Sequence, residues 1–306
     1  MTFLLLAPPA LVVLGLIVHR RKTPAPRAAM WAALVLVVAG ADRLLAPEPP
    51  VISMLGILAC AFSVVKVMVG EEEKRDGMKP LPAGRWLLFA TLWIGMRPRL
   101  FAARRRGHVA GARGLAVRGA TRLLAGLALL AAARRFGVGC ASDVLLGAGL
   151  LLVFHFGGCT LLAAAWRAAG VRCDPIVLEP IRSRSLTEFW SKRWNLAYSE
   201  MCTILVFRPL AGRVGRGTAV LLVFLFSGLL HEMAISLPVD AGFGLPTLYF
   251  AAHGVLVLVE EALRRRGRPV GGVVGWLWTL LWVLGPTPLL FHRPFVTGVL
   301  RSLLPA

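Results

Sequence analysis

Apolar residues run along this chain in blocks, separated by short stretches that are basic or rich in Gly and Pro. A bilayer core of about 30 Å needs roughly 20 helical residues at 1.5 Å each. Eight blocks approach that length and predict helical spans: 3–18, 28–46, 51–69, 123–138, 144–166, 218–237, 245–263 and 273–291. Segments 86–96 and 197–211 are weaker, the first being short and the second ending at Arg208-Pro209. The expected fold class is an all-α integral membrane protein, a polytopic helical bundle with about eight spans plus two partial or interfacial helices.

Composition sharpens this picture. Of 306 residues, 57% are hydrophobic and 16% charged, against roughly 25% charged in soluble domains. Mean hydropathy is +0.72. A disordered chain and an ordinary soluble enzyme are both excluded. The balance of 35 basic and 15 acidic residues gives +20, which in a soluble chain would suggest nucleic acid. Here the basic residues gather between the apolar blocks, at 19–27, 97–122, 167–193 and 264–268. That is the positive-inside pattern, so the expected partner is the lipid bilayer and no nucleic acid. Treating both weak segments as partial places all four basic segments on one side. Segment 97–122 reads as an amphipathic interfacial helix.

The first apolar run has no positive residue before it and is followed by His19-Arg20-Arg21-Lys22. This reverses the charge order of a secretory signal, so it reads as a retained span. Five scattered cysteines imply neither a disulfide framework nor a zinc site. Abundant Arg, Ala and Gly with little Lys suggest a GC-rich bacterial genome, and hence the bacterial inner (cytoplasmic) membrane.

Ionisable residues at lipid depth are costly and therefore informative. They are Asp42, Lys66, His155, His231 with Glu232, His253 and Glu260. His231 lies 13 residues beyond Thr218 in an otherwise apolar run, about 20 Å along a helix. Ser227 precedes it by four residues and shares its face, and Gly228 removes a side chain beside it. An imidazole in such a setting suits a general base; a structural hydrogen bond to a neighbouring helix is the plainer alternative. His231-Glu232 begins like HExxH, but residue 235 is Ile, and no HxxxH box occurs. No metal is expected. A transporter using His231 and Glu232 as a proton relay would call for internal repeats, and none is seen.

The second feature is 182–195. Ser185-Leu-Thr-Glu188 is a capping box that predicts a helix from Leu186. On a helical wheel Leu186, Phe189, Trp190, Trp194 and Ala197 share one face, while Glu188, Ser191, Lys192 and Asn195 share the other. Arg193 falls among the aromatics, where it can stack on Trp. The helix reads as interfacial, with Trp at headgroup level. Asn195 with Arg182, Arg184 and Lys192 can meet a phosphate-bearing substrate.

Together, SLTEFWSKRWN (185–195), FLFSGLLHE (224–232) and GLPTLYFAAHGVLVLVEE (244–261) resemble the wax synthase branch of the membrane-bound O-acyltransferase (MBOAT) superfamily. The resemblance covers roughly 175–265. It implies a helical bundle enclosing a tunnel, and transfer of a fatty acyl group from acyl-CoA to the hydroxyl of a long-chain alcohol. Acyl-CoA would be a co-substrate, with no bound cofactor. The family's paired Asn and His map onto Asn195 and His231. On this reading 1–306 form a single polytopic membrane domain, with N-terminal spans in 1–140, a catalytic core in 141–270 and a C-terminal span in 271–306. His231 would act as base and Asn195 as an amide donor. Arg182, Arg184, Lys192 and Arg193 become candidates for CoA phosphates. Trp190, Trp194, Ser227, Glu232, His253 and Glu260 become candidates for substrate binding, and His253 or Glu260 for lining the tunnel or orienting His231. Another hydroxyl acceptor, such as a glyceride, sterol, sugar or secondary metabolite, is the alternative. Asn195 on an interfacial helix and His231 deep in a span leave a distance that only a tunnel, or a different helix boundary, closes.

Overall fold

A computed structural model of the chain describes residues 2–102, 107–136 and 139–303, with side chains from Leu6 onward. The described residues form helices and no strands. In chain order these are α1 (Thr2–His19), α2 (Arg27–Leu45), α3 (Pro50–Arg75), α4 (Ala83–Leu92), α5 (Ala112–Ala133) and α6 (Cys140–Ala168). They continue as α7 (186–193), α8 (196–214), α9 (Arg216–Val239), α10 (Leu245–Arg265), α11 (Gly272–Leu290) and short turns over 293–303. Seven of them, α2, α3, α5, α6, α9, α10 and α11, are long and apolar enough to cross a membrane. The first expected span is a shorter apolar helix, Leu6–His19. The chain is an integral membrane protein. Both weak segments are helical without reaching span character: α4 has ten residues, and α8 is interrupted by a wider turn at Thr203–Phe207.

One boundary differs from expectation. The span expected at 123–138 starts at Ala112 and ends at Ala133, and residues 137–138 lie outside the described ones. Segment 97–122 is therefore no single interfacial helix. Its last eleven residues form the first half of α5, and 103–106 lie outside the described residues. Arg113, Arg118 and Arg122 depress the local hydropathy, which hides a span that the helical backbone nonetheless completes.

The central helix is α3, the most buried of the spans. Both α1 and α2 pack along it, and its inner face joins α2 and α8 in the largest apolar cluster, through Leu34, Ile57, Cys60, Met68 and Met201. Lys66 is fully buried on α3. Its ammonium donates to the Trp93 and Gly95 carbonyls at 2.7 and 2.6 Å and lies 4.0 Å from the Phe89 ring centroid. A buried cation is thus satisfied by backbone dipoles and an aromatic face. This pins the chain where α4 ends.

Contacts bring the basic segments to one end of the bundle. Ala25 N–H donates to Glu71 at 2.8 Å, and Arg99 pairs with Glu73. Val109 N–H donates to the Arg167 carbonyl at 2.9 Å. Leu186 N–H donates at 2.7 Å to Glu260, near the basic end of α10. The arrangement is the one the positive-inside bias favours.

Small residues let helices approach where no hydrophobic force distinguishes protein from lipid. A Cβ on Gly126 of α5 would sit 2.8 Å from the Val153 nitrogen and 2.9 Å from the Gly149 carbonyl oxygen of α6. Both are backbone atoms that cannot swing away. Gly126→Leu should therefore lower stability by about 2 kcal/mol, read as an earlier thermal unfolding in detergent. Gly114→Leu, which has open space on the same helix, should not. Equal behaviour of the two variants would refute the close approach.

Candidate active site

The site begins with how α7 is held. Ser185 Oγ accepts the Glu188 N–H at 3.0 Å, the expected N-cap. A second, non-local cap comes from α10. Buried Glu260 accepts from Leu186 N–H, Thr187 N–H and Thr187 Oγ1 at 2.7, 2.9 and 2.8 Å, and from Trp278 Nε1 at 3.0 Å. From Phe189 to Arg193 the helix widens, closing with Trp194 N–H onto the Phe189 carbonyl at 2.8 Å, five residues back. Trp194 is extended, and Asn195 takes the left-handed conformation with φ 38° and ψ 63°. Asn tolerates this better than most side chains. Two backbone bonds brace the turn from the preceding loop: Leu178 N–H to the Arg193 carbonyl and Leu196 N–H to the Ile176 carbonyl, both 2.7 Å.

The expected helix running through Asn195 and Ala197 is corrected accordingly. It stops at Arg193, Asn195 forms the turn, and Ala197 belongs to α8. The wide turn breaks the 100° register, so the wheel wrongly sets Asn195 on the face opposite Trp190, whereas both line one cavity; Trp194 stays with Phe189, on which it stacks. Trp190 does not sit at headgroup level either. It packs inside the bundle on Phe224, Phe250 and His253, with ring centroids 5.3 to 6.0 Å away. Nor does Arg193 stack on Trp. It pairs with Glu188 at 2.6 Å. Despite partial burial, which opposes ionisation, the Arg184 N–H and the Arg193 guanidinium hold the Glu188 carboxyl below the usual carboxylate range.

A cavity of about 320 Å³ opens between α7, α8, α9 and α10. Asn195 and His231 both line it, with Tyr198, Ser227, Trp190 and Phe250. His231 Nδ1 lies 2.7 Å from the Ser227 carbonyl oxygen. A carbonyl only accepts, so Nδ1 carries the proton and Nε2 presents its lone pair. Among the described residues Nε2 has no hydrogen-bond partner, and it is not sealed off as Nε2 of His253 is. Phe250 and Tyr198 fix the ring from two sides, with centroids 4.2 and 5.2 Å away. The Asn195 side-chain amide is also without a partner among the described residues. Ser227 Oγ lies 3.5 Å from Cys202 Sγ. Gly228 does not clear space for His231 as expected. A Cβ there would meet the Thr247 Cα at 2.7 Å, so it serves the approach of α9 to α10.

A second, larger hollow of about 940 Å³ adjoins the first, sharing Ser191, Ser199 and Thr203 as walls. Its sides are charged. Arg97 pairs with Glu200 at 2.7 Å, Arg208 with Glu73 and Asp76 at 3.2 Å each, and Arg99 with Glu73. Lys192 also lines it and pairs with no carboxylate among the described residues. An apolar chamber and a charged basin thus lie on either side of Ser191, Ser199 and Thr203, whose hydroxyls donate to the Thr187, Trp190 and Ser199 carbonyls. Among the described residues no three of His, Cys, Asp and Glu are grouped to hold a metal ion.

The expected residues divide accordingly. His231, Asn195, Trp190, Trp194 and Ser227 share the chamber, and Lys192 faces the basin. Arg182 pairs with Glu179 at 3.0 Å, and it and Arg184 line neither hollow. His253 lies beyond Phe250 and Trp190, its Nδ1–H on the Tyr249 carbonyl at 2.8 Å. It and Glu260 neither line the chamber nor bond to His231. Glu232 accepts from Gly244 N–H and Thr247 N–H at 3.0 Å each and from Thr247 Oγ1 at 2.8 Å. It caps the start of α10 as Glu260 caps α7. Sequence reasoning missed Tyr198 and Phe250, which look like ordinary apolar positions. It also missed Arg97, Arg99 and Arg208, which look like any other positive-inside charge.

Residues 173–251 match the Membrane bound O-acyl transferase family. The resemblance to its wax synthase branch is borne out over that segment. Across 130 residues, 37% of this chain, the sequence is 32% identical to the probable long-chain-alcohol O-fatty-acyltransferase 7 of Arabidopsis thaliana. Across 131 residues it is 30% identical to the long-chain-alcohol O-fatty-acyltransferase of Simmondsia chinensis. The match spans about two fifths of these relatives, 38% of the first and 37% of the second. The family segment contains both Asn195 and His231, and the first 172 residues lie outside it.

Glu260 is the acceptor for four donors at the start of α7 and on α11. Glu260→Ala should lower stability by about 3 kcal/mol, seen as earlier thermal unfolding in detergent. Glu260→Gln, which keeps one acceptor oxygen, should lose less. Glu261→Ala, an exposed neighbour paired with Arg264 and Arg265, should stay within about 0.5 kcal/mol of the parent. Similar losses at 260 and 261 would remove the capping role.

Proposed function

We propose that the chain is an acyl-CoA-dependent O-acyltransferase that moves a fatty acyl group onto the hydroxyl of a long-chain alcohol, forming a wax ester. One observation carries the reading. His231 holds its Nδ1 proton on the Ser227 carbonyl and offers Nε2 to an apolar chamber that it shares with Asn195. Both residues lie in the matched segment, and the similar proteins bear the name of this activity.

The reaction is a direct transfer. The alcohol gives its proton to His231 Nε2 as its oxygen attacks the thioester carbonyl, and the C–O bond forms. Negative charge collects on the carbonyl oxygen, to which the Asn195 amide N–H donates. Collapse breaks the C–S bond, and the CoA thiolate leaves with the proton held on Nε2. The ester is released and His231 returns to its starting tautomer. No metal or redox group takes part in this sequence. Chamber walls such as Trp190, Phe224 and Phe250 hold the hydrocarbon tails and keep water from the thioester. The CoA phosphates would lie in the basin, where Lys192 is, among the described residues, the cation without a carboxylate partner and Arg97, Arg99 and Arg208 exchange theirs. Arg182 and Arg184 stand outside it. A bacterial inner membrane as the home of the enzyme rests on amino-acid usage alone; the relatives named above are plant proteins.

Purified protein given labelled acyl-CoA and a panel of acceptors should esterify long-chain alcohols in preference to glycerides, sterols and sugars. A different preferred acceptor would change the substrate, and no ester at all would end the enzyme reading. His231→Ala should lower kcat by about 100-fold or more in protein that still inserts and elutes as a single species. Asn195→Ala should lower it by about 100- to 1,000-fold. Lys192→Gln should raise the KM for acyl-CoA several-fold and leave the KM for alcohol unchanged.

A further inference from the structure

A third hollow, of about 390 Å³, lies on the far side of the Asn195 turn, between α5, the end of α6 and the loop 174–179. Four guanidinium groups line it, on Arg118, Arg122, Arg167 and Arg193, against two carboxylates, Asp174 and Glu179. Both carboxylates are already engaged, Asp174 by Arg167 and Glu179 by Arg182. Arg193 is engaged by Glu188. Arg118 and Arg122 are left over. Arg118 reaches only the Gly114 carbonyl of its own helix, at 3.4 Å. Arg122 lies against the Phe156 ring, its guanidinium carbon 5.8 Å from the centroid. Neither meets a carboxylate among the described residues.

Depth makes this pair unusual. Arg122 is ten residues into α5, about 15 Å along its axis. A cation that far into a span needs an anionic or polar partner. Arg118, one turn earlier, points the same way. The outer face of the same helix is apolar and exposed at Val117 and Leu124, as a surface against lipid tails is.

We propose that this hollow binds a phosphate-bearing anion through Arg118 and Arg122, and that its occupant is the headgroup of an anionic membrane phospholipid. A lipid reaches the hollow along α5 with its tails on the exposed apolar face, while its phosphate accepts from the two guanidinium groups. The position has a consequence for the active site. Leu178, whose N–H bonds to the Arg193 carbonyl, lines the hollow, as does Val177, next to the Ile176 carbonyl that holds Leu196. A bound phosphate braces the loop that in turn braces the Asn195 turn. The site is separate from the chamber and basin and stands whether or not the chain transfers acyl groups.

The test uses the full chain in nanodiscs of phosphatidylcholine, with and without a minor fraction of labelled phosphatidylglycerol. Phosphatidylglycerol should be retained through delipidation by the parent. Arg118→Gln with Arg122→Gln should weaken retention roughly ten- to thirtyfold. Arg266→Gln with Arg268→Gln, an exposed pair elsewhere on the basic side, should not weaken it. Hydrogen exchange at the Leu178 and Leu196 amides should slow when phosphatidylglycerol is present, in the parent and not in the 118/122 variant. Equal retention by the parent and the 118/122 variant overturns the site. If inorganic phosphate in phosphatidylcholine discs gives the same protection at Leu178 and Leu196, the occupant is a soluble phosphate and the lipid assignment fails. No change in exchange with either anion overturns the bracing role.

Discussion

A bilayer offers an unpaired backbone N–H no water to bond to, so a helix that begins inside the protein must be given its acceptors by another part of the chain. Two glutamates meet that requirement here, Glu260 buried and Glu232 half-buried. Glu260, near the basic end of α10, takes the first amides of α7. Glu232, near the opposite end of α9, takes the first amides of α10. Each carboxylate is costly to bury, and each repays that cost by satisfying several donors at once. The two caps run in series, α9 fixing α10 and α10 fixing α7. His231 sits beside the first cap and Asn195 lies just past the helix that the second one fixes. The spacing of the two proposed reactive groups is therefore set by charge-assisted hydrogen bonds rather than by apolar packing, which in lipid gives little directional force.

Wide helical turns complete the frame. They occur at Phe189–Arg193 in α7, Thr203–Phe207 in α8 and Glu232–Ser236 in α9. Each inserts a residue into the helical register and shifts which side chains face inward. In α7 the wide turn ends the helix at Arg193, just ahead of the Asn195 turn. In α9 it starts immediately after His231, so the ring is on regular helix and its Nδ1–H meets the carbonyl four residues back. Regular α-helix positions the proposed base, and irregular backbone supplies the turn opposite.

These features also decide what was legible in the sequence. His231 was legible because an ionisable group in an apolar run is expensive, and Ser227 because a spacing of four residues is short-range geometry. The start of α7 was legible from Ser185 and Glu188, but its end was not. A helical wheel assumes a constant angle per residue, and nothing in FWSKRWN announces the wider turn except an Asn able to adopt positive φ. Glu260 was singled out for burial and given the wrong neighbourhood, because its partners are 74 and 73 residues away in the chain. The basic segments were correctly grouped on one side, yet hydropathy could not say which arginines face a hollow. Arg182 was expected at the substrate and is tied to Glu179, while Arg97 and Arg208, not among the expected site residues, line the basin.

The arrangement of the hollows bears on the proposed reaction of a thioester with an alcohol. Both tails are apolar, and only one of the two molecules carries a large polyanion. A chamber lined by aromatics accepts either tail, so it cannot by itself tell donor from acceptor. The adjoining basin, which shares Ser191, Ser199 and Thr203 with the chamber, supplies the distinction in the proposed reaction, because its charge suits a nucleotide phosphate and no hydrocarbon. In that basin all but one of the cations among the described residues already hold a carboxylate, so on the proposed reading these pairs are exchanged on binding. Exchange of ion pairs costs less than desolvating bare cations. Among the described lining residues the basin also sets three carboxylates against four cations, which keeps those positive charges from repelling one another beside the proposed base.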